Sequence, residues 1–165
     1  MVGGAEKIVA IDLSDDKLGL ARQLGATHTV NASDPNHVEQ VRDITDGGVD
    51  FAFDLAGTIK AMETAYNVTR YGGSVVTAGL SPSAANFSFN QSNLVSQEKS
   101  IRGSYMGSCV PVRDIPRFIS LYRQGRLPVD RLVDRTIGFE ELNAAFDKLQ
   151  GNTTVRQVLT PHGTV

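Results

Sequence analysis

The sequence predicts an α/β fold built on a doubly wound parallel sheet, and three observations carry that prediction. Short β-branched apolar runs alternate with stretches of helical periodicity. The first four runs begin near residues 7, 27, 49 and 73, at steps of 20, 22 and 24 residues. Glycines stand where helices hand over to strands, at Gly25, Gly47-Gly48 and Gly72-Gly73. Each step leaves room for a strand, a short helix and two loops, which is what a crossover between parallel strands requires.

Strands are expected at Lys7–Asp12, Thr27–Asn31, Val49–Asp54, Gly73–Ala78, Ser100–Gly103 and Val155–Leu159. The first helix opens at Ser14, with Asp15 and Asp16 at the positive end of its dipole, and closes at Gly25; Leu18, Ala21 and Leu24 face the sheet. A second helix is expected from Asp34-Pro35 to Gly47-Gly48 with Val38, Val41 and Ile44 or Thr45 inward. A third runs from Thr58 to about Arg70 with Met62, Ala65, Tyr66 and Thr69 on one face. Later, Asp114 is expected to cap a helix carrying Ile115, Phe118, Ile119 and Tyr122. Leu142, Ala145, Phe146 and Leu149 repeat the spacing before Gly151. Residues 81–93, rich in Ser, Asn and Pro, read as an irregular surface excursion.

Composition limits the function classes. The chain has 165 residues, enough for one domain with a sizeable core. Apolar residues make up 41% with no long apolar run, which excludes a membrane-spanning helix. Sixteen basic against eighteen acidic residues leave a formal charge of −2, so no general attraction draws the chain to nucleic acid or an acidic membrane. Arg113, Arg117, Arg123, Arg126, Arg131 and Arg135 are diluted by Asp114, Asp130 and Asp134 and read as a solvated surface. Cys109 is the single cysteine, which excludes a disulfide framework and fits a reducing, cytoplasmic setting. His28, His37 and His162 lack ligand spacing.

In open α/β sheets ligands sit beyond the carboxyl ends of the strands. That directs attention to Asp12, to 54–57, to 78–80 and to 104–106. A carboxylate such as Asp12, ending a strand before a helix, can accept two hydrogen bonds from a ribose diol and repel a 2′-phosphate; it can equally organise the Ser14 turn. Asp54 can serve as a base or hold the turn that follows it. A dinucleotide site also needs a G-x-G-x-x-G loop about 20 residues before the ribose acid. Only eleven residues precede Asp12, and no G-x-G occurs in the chain. Gly3-Gly4 reads as the end of a helix begun upstream, so the chain is expected to start in mid-fold.

The run GAEKIVAIDLSDDKLGLARQLGATHTVNA (4–32), followed by GGVDFAFDLAG (47–57), RYGGSVVTAGL (70–80), EKSIRGSYMGS (98–108), DIPRFISLYRQGRLPVDRLV (114–133) and NAAFDKLQGNTTVRQVL (143–159), resembles the coenzyme-binding half of the zinc-type, medium-chain alcohol dehydrogenase family. The resemblance implies a Rossmann-like sheet lacking its first strand and glycine-rich loop, with residues 1–165 forming a partial NAD-binding domain and the catalytic zinc domain absent. Zinc then belongs to the intact family and not to this chain.

Carried over by position, Asp12 falls where an aspartate binds the adenosine ribose, Leu13 beside the adenine, and Lys17 where a lysine reaches the same ribose. Ala56 and Gly57 match a turn on the ribose and nicotinamide side. Ala78, Gly79 and Leu80, with Ser104, Tyr105 and Met106, match segments whose backbone holds the nicotinamide carboxamide. Arg156 matches an arginine on the pyrophosphate. The expected partners are NAD as a small-molecule cofactor and a second copy in a homo-oligomer.

In the family's strand order the missing strand lies between the strands at 7–12 and 49–54, so instability, self-association or completion by a partner segment is expected. Two rival readings stand beside this one. The first is a non-catalytic remnant or scaffold that binds no nucleotide. The second is a domain binding S-adenosylmethionine, against which the EKSIRGS and VRQVL segments argue.

Overall fold

The computed structural model describes residues 3–151 and 154–161. It divides into two compact units, one spanning Ala5–Val110 and the other formed by the described residues from Pro111 onward with Gly3 and Gly4. His162 lies outside the described residues.

The larger unit alternates strand and helix: β1 (Val9–Asp12), α1 (Asp15–Gln23), β2 (His28–Asn31), α2 (His37–Ile44), β3 (Val49–Asp54), α3 (Ile59–Val68), β4 (Thr69–Thr77), α4 (Gln91–Ser96) and β5 (Ser100–Gly103). All of its ladders are parallel, in two sheets ordered β1-β2 and β3-β4-β5. Ser14 caps α1 by accepting from Lys17 N at 3.4 Å, and Thr58 caps α3 by accepting from Ala61 N at 3.2 Å. The core joins both sheets: Val30, Val41, Ala52, Met62, Ala65, Tyr66, Val68 and Val75 form one buried cluster, and Val9, Ile11, Val38, Ile44 and Val49 pack against it.

Several expected boundaries move, each for a local reason. α2 begins at His37, later than Asp34-Pro35, because the Asp34 carboxylate closes a turn instead of capping the helix: it accepts from Asn36 N at 2.8 Å and Gln40 Nε2 at 2.7 Å. α3 ends at Val68 and β4 starts at Thr69. The buried Thr69 donates its hydroxyl to Ala65 O at 2.7 Å while its backbone already pairs with Val49. The register then shifts between Val49 and Phe51, taking up Gly72 and Gly73. Within 81–93, Phe87 and Phe89 pack on Tyr66 with ring centroids 6.0 and 6.3 Å away, and Asn90 caps α4.

Lys99 was not singled out by the sequence. Its ammonium lies 4.6 Å from the Tyr66 ring centroid and donates to Tyr66 O at 3.0 Å, at the negative end of α3. Burial, and then the nearby Arg42 charge, lowers its pKa below the usual lysine range.

The smaller unit holds α5 (Pro111–Arg123), β6 (Arg135–Ile137), α6 (Leu142–Gln150) and β7 (Gln157–Leu159), with β6 and β7 paired in parallel. Pro111 opens α5, so Asp114 sits inside the first turn, buried, with Arg113 Nε 2.7 Å away, and is not the cap. β6 was not expected; its three residues are too short for a periodic signal. Asp134, just before it, accepts from Thr154 Oγ1 and from Val155 N at 2.8 Å, bonds that hold its carboxyl below the ordinary aspartate range.

Two predictions follow from this packing. Val75 is fully buried at the centre of the β3-β4-β5 sheet, so Val75→Ala removes two methyl groups and leaves a cavity, costing about 2 kcal/mol. The exposed Val95→Ala stays within about 0.5 kcal/mol by urea unfolding. Asp134 has a depressed folded-state pKa, so its stabilising contribution is complete above the ordinary value of 3.8 and is lost as pH falls through the lower folded value. An NMR titration of the Val155 amide should therefore show a midpoint below 3.8.

Candidate functional site

Parallel strands bring their carboxyl ends to one edge of a sheet, and in the β3-β4-β5 sheet a single side chain organises that edge. Asp54, the last residue of β3, is buried. Its Oδ1 accepts from Ala56 N at 3.1 Å and Gly57 N at 3.4 Å, and its Oδ2 accepts from Thr77 Oγ1 at 2.9 Å. Its carbonyl accepts from Ala78 N at 2.9 Å and Gly79 N at 3.2 Å. Asp54 is therefore the strap between the ends of β3 and β4, and the turn-holding reading of this residue prevails over that of a base.

The strap draws together two of the segments that the sequence singled out. Gly57 has φ +66°, and a Cβ on Gly79 would fall 2.2 Å from Gly57 N. Only hydrogen at position 79 lets the Ala56-Gly57 turn lie against Ala78-Gly79-Leu80. Ser81 adds a hydroxyl donated to Gly57 O at 2.9 Å. The third segment joins from β5, where Ser104 N donates to Thr77 O at 2.8 Å. Beyond it Tyr105 and Met106 are exposed, and Met106, Gly107 and Ser108 all adopt positive φ, 49°, 68° and 52°. The hydroxyls of Ser104 and Ser108 lie 3.1 Å apart across this bend. The result is a rim of backbone in which the turns at Ala56-Gly57 and Ala78-Gly79-Leu80 lie against each other and Ser104 joins the end of β4.

At the end of β1, Asp12 Oδ1 accepts from Ser14 N at 2.9 Å, and among the described residues Oδ2 accepts no hydrogen bond. One oxygen organises the turn while the other remains open, so the two roles weighed for this residue are compatible. Leu13 is exposed, and Lys17 lies half-buried in the first turn of α1. Arg156 belongs to the smaller unit, exposed just before β7, where its carbonyl accepts from Asp134 N at 3.0 Å. Among the described residues no three His, Cys, Asp or Glu side chains gather as metal ligands. Both ring nitrogens of His37 are engaged, with Asp34 O at 2.7 Å and Thr64 Oγ1 at 2.9 Å.

Sequence reasoning missed Thr77, Ser81 and Ser108. The first two are small polar residues whose partners lie more than twenty positions away. The left-handed run was hidden because two of its members are Met and Ser, not glycine.

Residues 2–124 match the family model described as zinc-binding dehydrogenase. The chain is 28% identical to an S-(hydroxymethyl)glutathione dehydrogenase of Paracoccus denitrificans over 96% of its own length, and it spans 44% of that relative. Among solved structures, a benzyl alcohol dehydrogenase from Acinetobacter calcoaceticus is 32% identical with a TM-score of 0.91, over 96% of this chain and 43% of that one. An alcohol dehydrogenase zinc-binding domain protein from Burkholderia ambifaria is likewise 32% identical with a TM-score of 0.91, over 98% of this chain and 44% of that one.

The backbone contact between positions 57 and 79 yields a paired prediction. Gly79→Ala forces the two turns apart and destabilises the protein by about 1–3 kcal/mol or more, because the obstructing atoms are main chain. Gly103→Ala, where nothing lies within 4 Å of the added methyl, changes stability by about 0.5 kcal/mol or less. Thermal or urea unfolding of the two variants distinguishes them.

Proposed function

The chain belongs to the zinc-binding dehydrogenase family, of the zinc-type, medium-chain alcohol dehydrogenase kind, and from that premise we propose that it is the coenzyme-binding portion of an NAD-dependent oxidoreductase interconverting alcohols and aldehydes. The partial NAD-binding domain is assigned to residues 1–165, with the catalytic zinc domain outside them. The chain spans less than half the length of the curated relative it matches, so this activity belongs to the larger assembly of which the chain would form a part.

The observation that carries the reading is the open Oδ2 of Asp12 at the carboxyl end of β1, where a carboxylate receives a ribose diol. The rim at Gly57 and Gly79 supports it, since an added Cβ at either glycine would fill the space that lets the two turns approach. On this reading Asp12, Leu13 and Lys17 hold the adenosine end. Ala56, Gly57, Ala78, Gly79, Leu80, Ser104, Tyr105 and Met106 present backbone to the nicotinamide end. When bound, the nicotinamide supplies the hydride acceptor. On this reading the chain's own work is to bind and orient the coenzyme. A homo-oligomer in the cytoplasm completes the proposal.

Asp12→Asn keeps an oxygen for the Ser14 turn and removes the charge. Losing a charge-assisted bond of about 1.5–3 kcal/mol corresponds to roughly a ten- to hundredfold weaker hold on NADH, with the preference over NADPH reduced. Saturation-transfer NMR with NADH and NADPH checks both effects. Failure of the unaltered chain to bind NADH at millimolar concentration would overturn the proposal in favour of the non-catalytic scaffold.

A further inference from the structure

A trans peptide is planar, so holding its carbonyl in place also fixes the direction of its N–H. The Leu13–Ser14 peptide, in the turn that leaves β1, is held at both ends. Its two holders, Asp12 and Asn31, are register partners at the carboxyl ends of β1 and β2. The Ser14 N–H donates to Asp12 Oδ1 at 2.9 Å, and the Leu13 carbonyl accepts from Asn31 Nδ2 at a longer 3.4 Å. The same Nδ2 donates to Asp15 Oδ1 at 2.7 Å, so one amide grips both the turn and the first residue of α1. Asn31 Oδ1 accepts from Ser33 N at 2.8 Å. That bond decides which way round the amide lies: with its oxygen on Ser33, both hydrogens of its nitrogen serve the turn.

The anchor is itself fixed. Ala32 N donates to Asp12 O at 3.0 Å and Asp34 N to Asn31 O at 3.2 Å, which secures the chain on either side of the Asn31 side chain. The turn it grips has little packing of its own. Leu13 is 68% exposed, so its restraint falls to hydrogen bonds. The cap bonds of Ser14 run inward, to Lys17 N and Leu18 N of α1, and Asn31 ties that helix start to the end of β2. Where the Ser14 N–H stands decides which way the Asp12 carboxylate turns, because that bond takes one oxygen and leaves the other open.

We propose that Asn31 is a positioning residue for the coenzyme: acting through the Leu13–Ser14 peptide, it holds Asp12 with Oδ2 open to the ribose diol, and so sets both the hold on NADH and the preference over NADPH. This rests on the coenzyme reading given above. Asn31 itself needs no contact with the ribose. A carboxylate already held in place loses little rotamer freedom when the diol arrives, and its charge-assisted bonds to the hydroxyls reward that alignment. A 2′-phosphate meets the same fixed negative charge, whereas a carboxylate released to rotate can turn away from it.

The test is a double-mutant cycle on the full chain, read by amide exchange without coenzyme and by saturation-transfer NMR with NADH and NADPH. Asn31→Ala, with circular dichroism unchanged, should speed exchange of the Ser14 amide about tenfold. It should weaken NADH about tenfold and lower the preference over NADPH by about threefold or more. In an Asp12→Asn background the same change should cost NADH less than about threefold, since the two residues act in series. The swap Asn31→Asp with Asp15→Asn keeps the charge of the pair and rebuilds the amide–carboxylate bond in reverse, so it should recover most of the loss. Asn31→Ser repeats the measurements should the alanine variant fail to fold. The proposal is overturned if Ser14 exchange is unchanged, if Asn31→Ala costs as much with Asp12→Asn as without it, or if the swap holds NADH no better than Asn31→Ala. Because Ser14 exchange is read without coenzyme, an unaltered chain that binds no NADH overturns the coenzyme reading, and an unchanged Ser14 amide overturns the clamp.

Discussion

The carboxyl edge of the larger unit depends on a buried carboxylate. Burying a charged Asp54 is unfavourable unless its oxygens are hydrogen-bonded, and three donors reach it: the amides of Ala56 and Gly57 and the hydroxyl of Thr77. Satisfying those donors dictates the rest of the edge. The turn after β3 must fold back over the carboxylate, β4 must end level with β3, and the chain leaving β4 must cross the turn at a distance only a glycine allows. Ser104 then joins because its amide finds Thr77 O, the main-chain acceptor of the residue whose side chain already holds Asp54. Three chain segments distant in sequence therefore share one small network of hydrogen bonds.

Much of this was legible in the residues. The spacing of apolar runs gave β1, β2, β3 and β5 nearly at their observed places, and the cap at Ser14 and the start of α3 after Thr58 were readable because each residue lies within three positions of the amide it bonds. What escaped was decided by distant partners. Nothing near Thr69 says that its hydroxyl will close α3 while its backbone opens β4. Asp34 looks like a cap until Gln40 and Asn36 claim its oxygens. Asp114 looks like one too, but Pro111 starts the helix a turn earlier. At the site, the positions of Asp12, Gly57 and Gly79 were visible, whereas the left-handed path through Met106 and Ser108 was not, because neither residue type favours it.

The two halves of the larger unit are held to each other by the core beneath α2 and α3 and not by strand pairing between them. That division of labour matters for the proposed nucleotide. Asp12 stands on the β1 side and the glycine rim on the β3 side, so the distance between the two ends of a bound coenzyme would be fixed by side-chain packing.

Lys99 adds a practical consequence. Lys99 is buried, with 8% of the residue exposed, and its ammonium lies against the Tyr66 ring. An amine-acylating reagent added to the folded protein would spare it until α3 and β5 separate, whereas it would react at once with lysines on the surface. The extent of labelling at this one residue, followed by mass spectrometry, would act as a clock for the opening of the larger unit under native conditions. No fluorophore or engineered cysteine would be needed to read it.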